Sequence, residues 1–238
     1  MPLRAVTLDA AGTLFDVAEP VGATYARYAA THGIALDAAD ADRRFRAAFS
    51  VAPPLAFPAG TDLGASERGW WYALVGRAFG PAATSPRFAA CFAALFAHFG
   101  RPEAWRVFPD VPEALAQLRA RGLRLGVVSN FDDRLGAIVS SLGLAPMLDA
   151  VVPSTRAGAA KPDPAIFRVA LARLGASPAE TLHAGDAVGA DVEGARAAGL
   201  HAVLIDRAGT CPTVPPGTPV LTTLLQLHTV VNAIDTTS

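Results

Sequence analysis

Three apolar runs in the sequence each end in polar side chains that could act together on an anion. Asp9 follows a run near the N-terminus, Ser129 and Asn130 follow a second run, and Asp186 follows a third. Hydroxyl and amide groups donate hydrogen bonds to phosphoryl or carboxylate oxygens, whereas carboxylates are the ligands that Mg²⁺ prefers. The combination indicates chemistry on an anionic group.

Two further charged residues fit this chemistry. Lys161 is the only lysine among twenty basic residues, and it stands just before a predicted helix that begins at Pro164. Its ammonium is a point charge suited to neutralising an anionic nucleophile and a phosphoryl group. Asp191 follows Asp186 by five residues, where it either orients ligands or caps a helix.

The elements that must position these residues alternate between strand and helix from residue 109 onwards. Strands separated by helices predict right-handed crossovers and a parallel sheet. Open sheets of this class carry their chemistry at the carboxyl ends of the strands. Asp110 is expected to cap a helix over 111–120, and a last helix is expected over 221–231. His183 and His201 lie in strands, where we interpret them as buried core residues.

Residues 16–105 have a different pattern. Aromatic and aliphatic residues recur there at helical spacing, Pro and Gly separate the segments, and no run favours a strand. The pattern predicts an inserted helical segment of about ninety residues, whose aromatic side chains form its core.

Composition limits the function and the surroundings of the chain. It has 238 residues, 52% hydrophobic and 17% charged, with a net charge of −1, so a sizeable core is expected and nucleic acid is not an expected partner. No apolar run is long enough for a membrane span. Cys91 and Cys211 are too few for a disulfide framework, and no signal peptide precedes the first strand. We therefore expect a cytoplasmic protein.

Four motifs in order resemble those of the haloacid dehalogenase-like (HAD) superfamily. They are D-A-A-G-T-L at 9–14, V-V-S-N at 127–130, K-P-D-P at 161–164 and G-D-A-V-G-A-D at 185–191. The resemblance covers residues 3 to about 205, and the segment around 122–135 looks like the haloacid dehalogenase-like hydrolase domain-containing subgroup. It implies an α/β fold in which residues 1–15 and 106–238 form a Rossmann-like parallel-sheet core and residues 16–105 form a C1-type helical cap.

The resemblance implies a role for each polar residue. Asp9 would be a nucleophile that forms an aspartyl-phosphate, Lys161 would offset negative charge, and Ser129 with Asn130 would bind the phosphate of a small phosphorylated substrate.

The resemblance also implies a metal site. Mg²⁺ would be bound by Asp9, the backbone carbonyl of Ala11 and Asp186, with Asp191 behind them.

The sequence departs from the superfamily pattern at Ala11, where most phosphatases of the superfamily have a second Asp that acts as acid and base. We therefore expect slow Mg²⁺-dependent hydrolysis of a phosphate ester or acyl phosphate. Two alternatives stay open: a 2-haloacid dehalogenase, and a regulatory protein that binds phosphate and Mg²⁺ without turnover. A phosphonoacetaldehyde hydrolase, which needs a cap lysine, is excluded because residues 16–105 contain none. The oligomeric state is not predicted.

Overall fold

In the computed structural model, which describes residues 2–210 and 213–237, the first apolar run forms β1, and all four of its residues are buried. The strands are β1 (Ala5–Leu8), β2 (Phe15–Val17), β3 (Trp105–Val107), β4 (Arg124–Ser129), β5 (Ala150–Pro153), β6 (Thr181–Gly185), β7 (His201–Ile205) and β8 (Val220–Leu221).

Six of these strands form one parallel sheet in the order β5-β4-β1-β6-β7-β8. β1 lies between β4 and β6, and Leu8 is opposite Val127 on one side and Ala184 on the other. The residues that follow these three strands therefore start from the same level of one sheet edge. The α/β fold with a parallel sheet, expected from the alternating pattern, is confirmed.

Helices account for most of the remaining chain. They are α1 (Val21–Thr31), α2 (Ala38–Ser50), α3 (Leu63–Phe79), α4 (Phe88–His98), α5 (Val111–Ala120), α6 (Leu135–Ser141), α7 (Ser154–Ala157), α8 (Pro164–Leu174), α9 (Gly194–Ala197) and α10 (Leu227–Thr237), with a π-helical turn at Val188–Glu193.

Local signals determine the bounds of α8. The side chain of Asp163 accepts a hydrogen bond from the Ala165 N–H at its start, where Pro164 is compatible with the first turn. Gly175 ends the helix in the left-handed conformation. Buried Ile166 and Phe167 pack with Val128 and Val152 of the sheet in one apolar core.

The chain divides into two units, one made of Met1–Asp16 with Val107–Ser238 and the other of Val17–Arg106. The second unit contains α1 to α4, whose buried core includes Tyr25, Phe79 and Phe92. Its aromatic rings mainly pack against one another, as predicted. That this unit acts as a cap stays a prediction.

Several local predictions were wrong. β2 and β3 pair with each other in a region for which no strand was expected, and β8 precedes a last helix that begins at Leu227 instead of 221. Asp110 makes no capping hydrogen bond, because its carboxylate instead accepts hydrogen bonds from Arg207, Thr223 and Leu224. His201 is exposed at the start of its strand.

Cys91 is buried and free, and Cys211 lies outside the described residues. Among the described helices, none combines the length and apolar character needed to cross a membrane.

Candidate functional site

Asp9, Ser129 and Asp186 come together because their strands are neighbours. Asp9 directly follows β1, Ser129 is the last residue of β4, and Asp186 directly follows β6. Parallel strands end at the same edge of a sheet. The Ser129 side chain is close enough to Asp9 to act on its pKa in the lowering direction.

Lys161 connects two buried carboxylates at this edge. Its Nζ lies 2.6 Å from Asp9 Oδ1 and also donates to Asp191 Oδ1. Only 3% of the Lys161 side chain is exposed. A lysine this buried is retained in its charged form only with partners of opposite charge. The structure thus places the ammonium of Lys161 in contact with the Asp9 carboxylate, and its predicted role in offsetting charge during a reaction stays a prediction.

Asn130 makes contacts different from those expected of a phosphate ligand. Its Oδ1 accepts a hydrogen bond from the backbone N–H of Lys161 at 2.7 Å, and its Nδ2 donates to the carbonyl of Lys161 at 2.9 Å. The two ends of the amide are thus engaged by one residue of another loop. This geometry fixes the backbone of Lys161 and gives no support to phosphate binding by the Asn130 side chain.

Asp191 accepts hydrogen bonds on both carboxylate oxygens. Oδ2 accepts from the backbone N–H of Ala187 at 2.9 Å, while Oδ1 accepts from Lys161 and lies 3.0 Å from Nε2 of His183. A Cβ at Gly185 would lie 2.2 Å from Cγ of Asp191, so the glycine makes room for the carboxylate. Asp191 therefore holds Lys161 directly, besides lying next to the proposed metal ligands.

His183 was interpreted from the sequence as a buried, satisfied core histidine, and this is correct: it is fully buried, and its Nδ1 lies 2.9 Å from the Thr7 hydroxyl. Its contact with Asp191 of the site was missed. Burial lowers the pKa of His183, so the neutral ring donates from Nε2 to Asp191 and accepts from Thr7 at Nδ1. Thr7 is opposite His183 in the β1–β6 register, a pairing that the sequence did not reveal.

Three carboxylates form a group that could hold a cation. One oxygen from each of Asp9, Asp186 and Asp191 lies within 4.8 Å of the others. Gly12 has a φ of +86°, and a Cβ there would lie 2.4 Å from Oδ2 of Asp186, so the turn after Asp9 approaches Asp186 as only glycine allows.

Two of these three carboxyl groups, Asp186 and Asp9, have raised pKa values. Loss of water around its carboxylate, together with the charges of Asp9 and Asp191, raises the pKa of Asp186 to about 7, although the residue as a whole is exposed. Burial also raises the pKa of Asp9, against the opposing effect of Lys161.

Lys161 and Asp191 form the charged pair of the site. Burial opposes both charges. Lys161 and His183 nevertheless lower the pKa of Asp191, while Asp191 and Asp9 raise the pKa of Lys161. The site thus has one ammonium for three carboxylates, an arrangement that favours binding of a divalent cation.

Comparisons with known proteins agree with the motif order. A family model described as haloacid dehalogenase-like hydrolase matches residues 3–199. Haloacid dehalogenase-like hydrolase domain-containing protein 3 of Bos taurus is 38% identical over 218 residues, which are 90% of this chain and 86% of that protein. Phosphoserine phosphatase of Thermus thermophilus is 37% identical over 124 residues, 52% of this chain and 49% of that enzyme.

Solved structures share the fold. A HAD phosphatase from Thermococcus onnurineus has a TM-score of 0.66 and 24% identity, covering 96% of this chain and 98% of that one. L-2-haloacid dehalogenase from Xanthobacter autotrophicus has a TM-score of 0.70 and 21% identity, covering 97% and 98%. Because a phosphatase and a dehalogenase match about equally well, the fold does not distinguish these two activities.

Proposed function

Because the chain belongs to the haloacid dehalogenase-like hydrolase family, we propose that it hydrolyses a small phosphorylated molecule with Mg²⁺ as cofactor and Asp9 as nucleophile. The observation that carries the proposal is the 2.6 Å contact between Lys161 Nζ and Asp9 Oδ1, beside the carboxylate of Asp186. Relatives named as phosphatases support the choice of a phosphorylated substrate.

The proposed reaction has two displacements at phosphorus. The Asp9 carboxylate attacks phosphorus, and the bond from phosphorus to the leaving oxygen breaks as the aspartyl-phosphate forms. Water then attacks phosphorus, the bond to Asp9 breaks, inorganic phosphate is released and one proton passes to solvent. Lys161 offsets negative charge near Asp9 in both steps, and Ser129, at the end of the neighbouring strand, binds the phosphoryl group.

The residues present fit a magnesium ion. Asp191 already accepts hydrogen bonds on both of its oxygens, so the proposed ligands are Asp9, Asp186 and the carbonyl of Ala11. A cation there would relieve the repulsion that raises the pKa of Asp186. When bound, Mg²⁺ stabilises negative charge on the phosphoryl oxygens.

Ala11 restricts the substrate class. Its methyl group has no proton to give to a leaving oxygen, and positioned acid–base catalysis is worth roughly 10²–10⁴-fold. Acyl phosphates and aryl phosphates release leaving groups of low pKa that depart without a proton. We therefore propose that these substrates are hydrolysed faster than alkyl phosphates.

The test measures phosphate release from acetyl phosphate and p-nitrophenyl phosphate, with Mg²⁺ or with EDTA. The proposal requires that release depends on Mg²⁺ and is lost in Asp9→Asn. Asp40→Asn is the matched control, because it makes the same chemical change at a half-buried residue of α2, in the other unit of the chain. Phosphate release that persists in Asp9→Asn would sink the proposal.

Absence of phosphate release would leave two other functions. Chloride release from a 2-haloacid would indicate a dehalogenase, an activity that the nearby Asp186 carboxylate disfavours because the substrate is itself a carboxylate. If neither product forms, Mg²⁺-dependent binding of phosphate would indicate a regulatory protein.

A further inference from the structure

We infer that Arg207 is a positioning residue for the proposed metal site, because its guanidinium joins the turn that follows Asp9 to the carboxylate of Asp110. The inference rests on the proposed function, since the turn contains the Ala11 carbonyl that is proposed to bind Mg²⁺. Arg207 follows β7, and 194 residues separate it from the residue that it contacts in the turn.

The guanidinium of Arg207 makes three kinds of contact. Nη2 donates to the carbonyl of Thr13 at 2.7 Å, and Nη1 donates to the two carboxylate oxygens of Asp110 at 2.9 and 3.2 Å. Its central carbon lies 3.8 Å from the centre of the Phe108 ring. Only 18% of the side chain is exposed. A planar guanidinium that donates hydrogen bonds to two different segments of the chain has little freedom to move.

Asp110 is itself fixed by two other contacts. One of its oxygens accepts hydrogen bonds from the Thr223 hydroxyl and from the Leu224 N–H, both at 2.7 Å. Asp110 thereby connects Arg207 to the segment that precedes α10. The carboxylate that holds Arg207 in contact with Thr13 is therefore itself fixed by hydrogen bonds.

Backbone hydrogen bonds close the turn after Asp9 on itself: Gly12 N–H donates to the carbonyl of Phe15 at 2.8 Å, and the N–H groups of residues 13–15 donate to the carbonyl of Ala10. The Asp9 N–H donates to the carbonyl of Ala184 in β6, and the carbonyl of Leu14 accepts from the Phe108 N–H. Gly12 lies between these two contacts with a φ of +86°, and glycine has the greatest backbone freedom. Besides these backbone bonds, the charged hydrogen bond from Arg207 to the carbonyl of Thr13, the residue after Gly12, holds the turn from outside, close to the proposed ligand carbonyl.

A second arginine provides a matched control. Arg121 also joins a carbonyl to a carboxylate, donating to His228 O at 3.3 Å and to Asp235 Oδ2 at 3.2 Å. It lies in the same unit as Arg207 and also connects the region of α5 to the C-terminal segment. It makes no contact with the Asp9 turn among the hydrogen bonds of the described residues. Loss of general stability should therefore affect both arginine variants, whereas loss of metal positioning should affect Arg207 alone.

The experiment compares Arg207→Met, Arg207→Lys and Arg121→Met with the wild type. Calorimetric titration with Mn²⁺ alone, as a probe for Mg²⁺, gives metal affinity without turnover, and steady-state assays with acetyl phosphate give kcat and KM. We expect Arg207→Met to weaken Mn²⁺ binding roughly 10- to 100-fold, the range for residues that orient metal ligands. Arg207→Lys, which replaces two donor nitrogens with one, should be intermediate, and Arg121→Met should bind like the wild type.

Several results would overturn the inference. These are unchanged Mn²⁺ affinity in a folded Arg207→Met, equal weakening in Arg121→Met, or no Mn²⁺ binding by the wild type. If Arg207→Met does not fold, wild-type affinity in a folded Arg207→Lys overturns it as well. Metal binding that depends on Arg207 in a protein without Asp9-dependent phosphate release would instead contradict the proposed function and leave the inference standing.

Discussion

Replacement of Lys161 by methionine should destabilise the unit that contains the parallel sheet (Met1–Asp16 with Val107–Ser238, here the sheet unit) at neutral pH. The loss should be much smaller in acid. The side chain of Lys161 is 3% exposed, and it lies between Asp9 and Asp191, whose side chains are 10% and 2% exposed. Methionine keeps most of the apolar volume but removes the cation that, among the described residues, forms ion pairs with both buried carboxylates. The variant therefore isolates the charge of Lys161 from its packing.

The structure gives the size of the effect. Carboxylate oxygens of Asp9 and Asp191 lie within 4.8 Å of each other, and two like charges at that distance repel by about 3 kcal/mol at an effective dielectric constant of ~20. Removing one partner of a buried ion pair typically costs roughly 3–5 kcal/mol. We expect Lys161→Met to lose a free energy of unfolding in this range at pH 8.

The pH dependence follows from the carboxylates. In the variant, burial and mutual repulsion keep the pKa of Asp9 above its unfolded value, so the folded state binds more protons than the unfolded state. Stability of the variant should therefore rise as pH falls from 8 towards 5. In the wild type, Lys161 lowers the pKa of Asp191, so that carboxyl contributes stability above its unfolded pKa of about 4, and this is lost on further acidification.

The assay must report on the correct unit. All three tryptophans belong to the other unit, Val17–Arg106; they are Trp70, Trp71 and Trp105. Tryptophan fluorescence therefore follows that unit and not the sheet unit. Hydrogen exchange of peptides from β1 and β6, in EDTA at pH 8 and pH 5, measures the sheet unit directly.

A control arginine separates the buried effect from a general charge effect. Arg156→Met removes a cation from an exposed pair with Asp133 in the same unit as Lys161 and should cost less than about 1 kcal/mol at either pH. A loss in Lys161→Met that is equally small, or that stays the same at pH 5 and pH 8, would refute the reasoning.

Three other variants test separate parts of the structure. Ala11→Asp should increase hydrolysis of an alkyl phosphate by roughly 10²–10⁴-fold and that of acetyl phosphate by less, and an unchanged alkyl phosphatase rate would contradict the missing-acid interpretation. Asn130→Ala removes two hydrogen bonds to the backbone of Lys161 and should lower the free energy of unfolding by about 1–3 kcal/mol. Amide hydrogen exchange around residue 161 should become faster, and unchanged exchange would contradict the role of Asn130 in fixing this backbone. In Asp110, burial opposes ionisation, but hydrogen bonds from Thr223, Arg207 and Leu224 outweigh it and lower the pKa. Asp110→Asn should therefore lose about 1–2 kcal/mol at pH 7. The difference should shrink as pH falls below the unfolded pKa and vanish below the lower folded pKa, whereas denaturation curves that differ equally at pH 7 and pH 3 would exclude this explanation.

The helices and strands that could be predicted are those with local causes. The bounds of α8 follow from Asp163, Pro164 and Gly175, which act within a few residues of themselves. The strand before Asp9 could be predicted because a run of apolar and β-branched residues is sufficient to indicate a buried strand. β8 has only two residues, too few to give a pattern, and β2 and β3 have three each.

By itself, the sequence determined which chemical groups stand at strand ends and which glycines accompany them. Asp9, Lys161 and Asp186 could be recognised as candidates because residue type, order and neighbouring turns are properties of the chain alone. Only the tertiary structure decided the contacts of the polar side chains. Thr7 contacts His183 because β1 pairs with β6, and Arg207 contacts Thr13 across 194 residues. Such partners depend on strand order and on where distant loops return, and neither quantity is encoded in local periodicity.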